Sequence, residues 1–253
     1  MTDKSLENLK HLVRADLHVH SCLSPCANNN MVPLKVLQAC YERQVNMVAI
    51  TDHNSVGNAA SFIEAARIFK EGAIKVIPGL EVQSREEVHV ICLFSEMDMA
   101  KKCQEVVDQY LPNTKCKSEL FGDQLLVDPE GYVVGSEERL LLNSLDLSVD
   151  QIVEIVCSLE GLAIAAHVDR PYYSLHALLG FVPQDLHLAA VEISARANPA
   201  ECVQKMNLGQ FAVISSSDAH YLKDVGKVCT CFTGEPCFAS LKQALKGKEV
   251  RIE

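Results

Sequence analysis

The segment ADLHVHS, residues 15–21, predicts a short buried strand that ends in two histidines. His18 and His20 are separated by one residue, and side chains on a strand repeat every second residue, so both imidazoles face the same side. A second apolar run, MVAIT at residues 47–51, ends in a similar way at His53. Short apolar runs that end in metal-ligating side chains are therefore the pattern from which the fold and the site are predicted.

Apolar, β-branched runs alternate with longer helical patterns along most of the chain. The predicted strands cover residues 15–19, 47–51, 74–77, 88–94, 162–166, 190–193, 211–215 and, more weakly, 228–232. The predicted helices cover residues 33–44, 55–70, 97–110, 148–159, 199–208 and 238–245. Apolar strands separated by amphipathic helices indicate a parallel sheet covered on both faces. Seven or eight repeats in one domain favour a closed α/β barrel over an open sheet.

Residues 112–146 interrupt this alternation, and we interpret them as an insertion into a single domain that spans residues 1–253. Within this segment, QLLVDPEGYVVG has two short apolar runs around residues 129–131, a pattern typical of a β-hairpin. Three roles are compatible with this segment: a solvated arm, a lid and a dimer contact. The last two are considered because long loops are often functional. The sequence does not define the oligomeric state.

Composition and net charge indicate which classes of protein this sequence fits. Hydrophobic residues make up 48% and charged residues 22%, as in ordinary globular domains. The net charge of −10, without a block of Lys or Arg, disfavours a duplex-binding scaffold, which needs a basic surface. A small anion is still a possible substrate, because bound metals reverse the local field. The polar start, MTDKSLENLK, and the lack of an apolar run of roughly 18 residues predict a cytoplasmic protein without a membrane partner.

Ligand-type side chains recur where the predicted strands end. In an α/β barrel the carboxyl ends of the strands converge on one face, where active sites are built. His89 differs because it lies at the start of run 88–94, which follows Glu81 without a helix between them. We therefore expect this run to return as a hairpin-like strand to the same face. The convergent residues are His18, His20, His53, Glu81, His89, His167, Asp218 and His220.

This set of side chains predicts a metal centre. A single histidine at a strand end is more often structural, but independent structural roles would not place all of these residues at strand ends. Imidazoles mixed with carboxylates suit Zn, Mn or Fe. The candidates outnumber the ligands of one tetrahedral ion, and a carboxylate such as Glu81 can bridge two ions. We therefore expect two or three divalent metal ions.

The ordered motifs ADLHVHS, ITDHNS, PGLEV followed by EVHV, AAHVDRP and SSSDAH resemble those of the PHP family, the polymerase and histidinol phosphatase domains. The resemblance runs from about residue 15 to residue 220. It implies a distorted TIM-like (β/α)7 barrel with a trinuclear metal centre. It further implies one metal held by His18, His20, Glu81 and Asp218, a second by Glu81, His89 and His167, and a third by His53 and His220.

One stretch departs from the family pattern. Many relatives carry Asp or His five or six residues after the second histidine of the HxH motif, whereas this chain has Pro25 and Cys26 there. One interpretation makes Cys26 a thiolate ligand of the third metal, which favours Zn or Fe. The other makes it a buried reduced thiol beside a weaker or absent third metal.

Two arginines are candidate substrate ligands. Arg170 lies three residues after His167, and Arg196 follows the predicted strand at 190–193. The guanidinium group matches phosphate geometry and stays charged. Similar positions bind substrate phosphate in the family, and a surface ion pair is the alternative for Arg196. The candidate catalytic residues are His53, Asp218 and His220.

These features predict hydrolysis of a phosphoester. A metal-activated water would attack phosphorus in line, and Arg170 would help to neutralise the developing charge. We expect a small phosphorylated metabolite or nucleotide as the substrate. Exonucleolytic cleavage of an oligonucleotide is the alternative. Proteins that bind single strands usually have a basic groove or an aromatic platform on which bases stack. This chain has no Trp, and 6% of its residues are aromatic. A non-catalytic regulatory domain is a further class, which the nearly complete ligand set disfavours.

Overall fold

A nearly closed nine-stranded sheet forms the centre of the fold. The computed structural model describes residues 12–253. The strands are β1 (Leu12–Val19), β2 (Met47–Ile50), β3 (Lys75–Gln83), β4 (His89–Leu93), β5 (Leu125–Val127), β6 (Val133–Ser136), β7 (Leu162–Ala165), β8 (Ala190–Ile193), β9 (Val213–Ser215), β10 (Thr230–Thr233) and β11 (Arg251–Ile252). The large sheet has the order β11-β10-β1-β2-β3-β4-β7-β8-β9, and β5 and β6 pair separately. The predicted α/β barrel is confirmed.

The parallel strands are interrupted by one reversed strand. β1, β2 and β3 are parallel to each other, as are β7, β8 and β9. β4 lies between these two groups and runs antiparallel to both β3 and β7. Its register pairs Gln83 with His89. The start of β4 therefore lies at the same edge as the end of β3, as the hairpin interpretation predicted.

A side chain, instead of a backbone ladder, links β9 to β10. The Thr230 hydroxyl accepts a hydrogen bond from Ser215 N at 3.1 Å and donates one to Ser215 O at 2.9 Å. Both residues are buried. We call this junction between β9 and β10 the seam. Beyond it, His20 N donates a hydrogen bond to Ala219 O at 3.0 Å. The segments that follow β1 and β9 are thus fixed side by side.

The helices cover the sheet, and the longer ones follow the predicted pattern. Within residues 12–253 they are α1 (Pro33–Glu42), α2 (Ala59–Ile68), α3 (Met97–Tyr110), α4 (Ser118–Phe121), α5 (Val149–Ser158), α6 (Leu175–Leu179), α7 (Pro199–Lys205) and α8 (Phe238–Gly247), with a 3₁₀ turn at Phe69–Gly72. The short helices α4 and α6 were not predicted. The helix predicted over 55–70 begins later because Asn58 uses its side chain to bind β5, accepting from Val127 N and donating to Leu125 O, both at 3.0 Å.

Small and branched apolar side chains fill the barrel. Leu17, Ile77 and Ile164 belong to a buried cluster that also includes Phe238 and Leu241 of α8. Alternate strand positions supply these side chains, as the two-residue period of a strand requires. The same cluster contains residues near the starts of β1 and β7. The apolar core therefore lies toward the amino ends of the parallel strands and leaves their carboxyl ends for polar groups.

The inserted segment contains the predicted β-hairpin. β5 and β6 are antiparallel, with Leu125 opposite Ser136, and Tyr132 N donates to Asp128 Oδ1 at 2.8 Å in the turn. Leu125 N also donates to Cys22 O at 2.9 Å. The hairpin therefore contacts the loop that follows β1, as well as the start of α2.

No helix within residues 12–253 combines the length and the apolar character needed to cross a bilayer. The polar segment at residues 1–10, on which the predicted location partly depends, lies outside the described residues.

Candidate metal centre

The eight ligand-type side chains predicted at strand ends meet on one face of the barrel. They come from the ends of β1, β2, β3, β7 and β9 and from the start of β4. Six of them are at most 8% exposed, and the other two, Asp218 and His220, are partly buried. Their positions are His18 and His20 on and after β1, His53 after β2, Glu81 in β3, His89 in β4, His167 after β7, and Asp218 and His220 after β9.

The carboxylate of Glu81 lies at the centre of this group. Its Oε1 atom is 2.9 Å from His89 Nδ1 and 3.2 Å from the Nε2 atoms of both His18 and His167. Its Oε2 atom is 3.0 Å from His53 Nδ1 and 3.5 Å from His20 Nε2. One carboxylate therefore reaches five imidazoles, the arrangement expected of a group that bridges metal ions.

Asp218 supplies a second carboxylate at the same face. Its Oδ1 atom lies 3.3 Å from His20 Nε2 and 3.5 Å from His18 Nε2. Its Oδ2 atom accepts a hydrogen bond from Arg170 at 2.6 Å. Burial would raise the pKa of Asp218, but the His18 and His20 rings outweigh burial and hold it well below its ordinary value. The group is ionised and available as a ligand.

Glu81 is ionised for the same reason. Burial favours its protonated form, but the charges and hydrogen bonds of His89, His18 and His167 hold the pKa well below the ordinary glutamate value.

The donor atoms fit divalent metals. Three groups have ligand atoms within 4.8 Å of one another: His18, His20 and Asp218; His53, Glu81 and His89; and His20, His53 and His220. The Nε2 atoms of His18 and His20 face each other at 3.2 Å, and the buried Nδ1 atom of His167 has no hydrogen-bond partner among the described residues. Imidazole and carboxylate donors in this mixture match Zn, Mn or Fe.

Cys26 adjoins the third group. The residue as a whole is exposed, which does not fit the buried position of the second interpretation, while the ligand role stays a prediction. Side chains around the sulfur atom desolvate it and oppose ionisation, but hydrogen bonds to His220 and His53 outweigh this effect and lower the thiol pKa to about 6. A thiolate beside two imidazoles is the ligand set that Zn and Fe favour.

Two ligands occupy unusual backbone conformations. His167 and Asp218 have φ angles of 30° and 49°. Positive φ is unfavourable for residues with a side chain, and such strain concentrates at functional sites. His167 lies two residues after the end of β7 and Asp218 three residues after the end of β9, where these turns bring both side chains to the barrel mouth.

Buried carboxylates outside the ligand group hold it in place. Glu192, in the middle of β8, lies 3.0 Å from His18 Nδ1. Glu192 is not among the residues predicted from the sequence, although a charged residue inside the apolar run AAVEIS is an unusual feature of a buried strand. Asp52 accepts from Ser24 Oγ at 2.7 Å, and Ser24 in turn lies 3.0 Å from His20 Nδ1.

Asp16 lies two residues before the proposed ligand His18 in the sequence, but its hydrogen bonds hold a distant loop. Its carboxylate accepts from Ser217 N at 3.0 Å and from Gly226 N at 2.7 Å. Burial outweighs these hydrogen bonds and raises its pKa to about 6. Asp16 therefore fixes the loop that precedes Asp218.

The two predicted arginines line one cavity beside the metal centre. This cavity has a volume of about 640 Å³ and is lined by Arg170, Arg196, Asp218 and Lys227, among others. Arg170 is already paired with Asp218, whereas Arg196 is exposed. Lys227 pairs with Asp224 at 2.6 Å. The cavity joins cationic side chains to the ligand group, as an anionic substrate requires.

An aromatic residue also touches the ligand group. The ring of Tyr173 stacks on that of His89 with centroids 4.8 Å apart and an interplanar angle of 23°. Its carbonyl oxygen accepts a hydrogen bond from His89 N at 3.0 Å. The sequence carries no periodic signal for this contact, because the residue lies in an irregular segment.

Comparisons with known proteins agree with the geometry. The sequence matches the family model of the PHP domain over residues 16–186. An uncharacterised protein of Methanocaldococcus jannaschii is 28% identical over 97 residues, which make up 35% of this chain and 54% of that protein. The chain thus spans about half the length of this curated relative.

The solved structures share the fold. The lesion-specific endonuclease Q of Pyrococcus furiosus superposes with a TM-score of 0.65 at 20% identity, covering 93% of this chain and 56% of the enzyme. Endonuclease Q bound to a 27-mer duplex with an abasic lesion gives 0.69 at 20% identity, covering 93% of this chain and 57% of that one. A protein of Bifidobacterium adolescentis, described as a metal-dependent phosphoesterase, gives 0.54 at 15% identity, covering 94% of this chain and 96% of that protein.

Proposed function

The chain belongs to the PHP domain family, and on that premise we propose that it hydrolyses a small phosphorylated metabolite or nucleotide. The family match and the fold shared with a protein described as a metal-dependent phosphoesterase support a hydrolase of phosphoester bonds. The observation that carries the proposal is the position of Glu81, whose carboxylate reaches five imidazoles. A protein that only needed structural ions would not place a cationic cavity beside them.

The proposed ligands form three sets. His18, His20, Glu81 and Asp218 would hold one ion, and Glu81, His89 and His167 a second. His53 and His220 would hold a third, joined by Cys26, whose thiol hydrogen-bonds to both rings. Bound ions would supply a water activated near neutral pH and positive charge for the phosphoryl oxygens. The three groups of close donor atoms support two or three ions.

The proposed substrate-binding and catalytic roles belong to side chains that line the mouth of the barrel. Arg170 lies 2.6 Å from Asp218, so its guanidinium can contact a phosphoryl oxygen while it stays ordered by the carboxylate. Arg196 lines the same cavity and would bind a more distant oxygen. His53, Asp218 and His220 are the proposed catalytic residues. Where an imidazole of this pair does not hold an ion, it can hold or release a proton at the leaving oxygen, and Asp218 would fix the position of the first ion.

Oligonucleotide cleavage is the second candidate, because the fold matches that of endonuclease Q. At 20% identity this similarity extends to the fold alone. The net charge of −10 and the absence of a Lys or Arg block favour a small substrate over an extended polyanion. We also propose a cytoplasmic location, without a membrane partner.

The test follows hydrolysis by the purified, Mn-loaded protein, as phosphate release from the small phosphates and as shortening of the oligonucleotide, with metal content measured in parallel. The panel comprises a mononucleotide, a nucleoside 3′,5′-bisphosphate, histidinol phosphate and a short single-stranded oligonucleotide. We expect turnover of a small phosphate that Asp218→Asn lacks. Turnover of the oligonucleotide alone would establish the nuclease alternative. Metal-loaded protein that hydrolyses nothing in the panel would contradict the proposal and favour a regulatory, non-catalytic domain.

A further inference from the structure

We propose that Tyr172 and Tyr173 form a stacking platform that binds the nucleobase of the substrate at the rim of the metal centre. This inference rests on the proposed function and makes it more specific, because it selects nucleotides over phosphorylated sugars or amino alcohols. It assigns to residues 171–181 a role in recognising the part of the substrate that does not react.

Tyr173 places an aromatic surface directly against the metal centre. Its ring covers the imidazole of His89 at 4.8 Å with an angle of 23° between the planes, yet 49% of the residue remains exposed. The exposed part of the ring therefore lies next to a proposed metal ligand. A substrate whose phosphate reaches the metals would bring its remaining atoms to this ring.

The backbone around Tyr173 is held in a conformation that presents the ring. Its φ angle is 59°, which is unfavourable for a bulky side chain. The next residue, Ser174, caps α6 by accepting from Ala177 N at 3.2 Å and donates to Arg170 O at 2.7 Å. This turn fixes the proposed phosphate ligand Arg170 and the tyrosines in one unit.

Tyr172, the residue before Tyr173, adds a second exposed tyrosine to this turn. It is 73% exposed, and the large apolar residues that follow it, Leu178, Leu179 and Phe181, are also exposed. Exposed apolar surface beside a polar site is typical of ligand recognition. Tyrosine presents a flat ring at low entropic cost, and every nucleobase has a face that can stack on it.

A nucleotide fits this surface better than the other small phosphorylated compounds do, because only the nucleotide carries a base. The ring of Tyr173 stacks on the proposed ligand His89, and Arg170, three residues earlier in the chain, lines the cationic cavity, so one segment supplies both an aromatic face and positive charge for phosphate. Sugars and amino alcohols have no flat aromatic face. Stacking of one base on an aromatic side chain changes affinity by roughly 5- to 100-fold.

The experiment compares AMP with ribose 5-phosphate, which has the same phosphate and sugar but no base. For the Mn-loaded wild type we expect KM for AMP to be at least about fivefold lower than for ribose 5-phosphate. Tyr172→Ala should raise KM for AMP by a similar factor, leave kcat within about twofold, and leave ribose 5-phosphate unaffected. Tyr172→Phe, which retains the ring, should behave as the wild type.

A matched control and a second readout separate this inference from the proposed function. Tyr132→Ala removes an equally exposed tyrosine from the hairpin turn and should change neither KM. If neither substrate is hydrolysed, the same comparison is made by calorimetric binding of AMP and ribose 5-phosphate to the metal-loaded protein, which tests the platform independently of the proposed function. Equal affinity for both ligands, or an AMP affinity unchanged in Tyr172→Ala, would overturn the platform. A parallel arm with a dinucleotide shows whether the stacked base belongs to a free nucleotide or to a strand end.

Discussion

The Nδ1 atom of His18 lies 3.0 Å from a carboxylate oxygen of Glu192, and both side chains are buried in the barrel mouth. This contact orients the ring so that its Nε2 atom faces Glu81 at 3.2 Å and His20 at 3.2 Å. A carboxylate behind a histidine fixes the tautomer and makes the opposite nitrogen a better ligand. Glu192 thus extends the metal centre to a strand that provides no ligand.

Replacing Glu192 tests this contact. Glu192→Gln keeps the size of the side chain but removes its charge, so we expect metal affinity to fall by about 10- to 100-fold. The measurement is a calorimetric titration of metal-free protein with Mn or Zn. Glu154→Gln changes an exposed glutamate on α5 and should match the wild type. Unchanged affinity in Glu192→Gln would show that His18 does not depend on the carboxylate.

Replacing Glu81 should have a larger effect than replacing Glu192. Glu81→Gln removes the carboxylate that reaches five imidazoles, and a neutral amide is a poor bridge between cations. We expect at least one metal per chain to be lost and activity to fall by more than roughly 100-fold, the upper end for residues behind a ligand. Elemental analysis after gel filtration measures the stoichiometry. Full metal content in this variant would contradict a bridging role.

Metal should protect Cys26 from alkylation. The thiol is exposed and contacts His53 and His220, so a metal bound there would occupy its sulfur. We expect iodoacetamide to label Cys26 in metal-free protein and to label it at least about tenfold more slowly after Zn loading, as read by peptide mass spectrometry. Cys157, which is also exposed, provides the internal control within the same sample. Equal labelling of Cys26 in both states would exclude it as a ligand.

The seam between β9 and β10 should depend on one hydroxyl. Thr230→Val keeps the shape of the side chain but leaves the buried Ser215 N and O without their partner. Each unsatisfied buried group costs about 1–3 kcal/mol, so we expect the free energy of unfolding to fall by at least this amount. Denaturation by urea measures the change.

Thr233 offers the matched comparison, because it lies on the same strand but is exposed. Thr233→Val should leave the free energy of unfolding within about 0.5 kcal/mol of the wild type. Equal effects of the two substitutions would mean that the hydroxyl of Thr230 does not hold the seam.

Much of the site could be predicted because its ligands follow strands. Periodicity located the strands, and the convergence of strand ends in a barrel brought His18, Glu81 and Asp218 together. The absence of a helix between Glu81 and His89 was sufficient to predict a reversed strand. These inferences use only local pattern and the geometry of one fold class.

The unpredicted features depend on contacts between distant segments. Glu192 lies 174 residues from His18 in sequence, and the link from Thr230 to Ser215 closes a seam that no strand pattern marks. The helix predicted to begin at residue 55 begins at Ala59 because Asn58 binds the hairpin. Tyr173 lies in an irregular turn without a period. In each case tertiary structure, which a single sequence does not display, determines the outcome.

The positive φ angles of His167 and Asp218 place both side chains at the metal centre but strain the backbone there. Glycine or asparagine would relax the backbone at these positions, but Asn in place of Asp218 would also remove a charge that His18 and His20 stabilise. At His167 less offsets the strain, because its buried Nδ1 atom has no hydrogen-bond partner among the described residues. Directed evolution for heat resistance in a chelating medium should therefore discard His167 early, and the selected proteins would lose one of their proposed metal ligands.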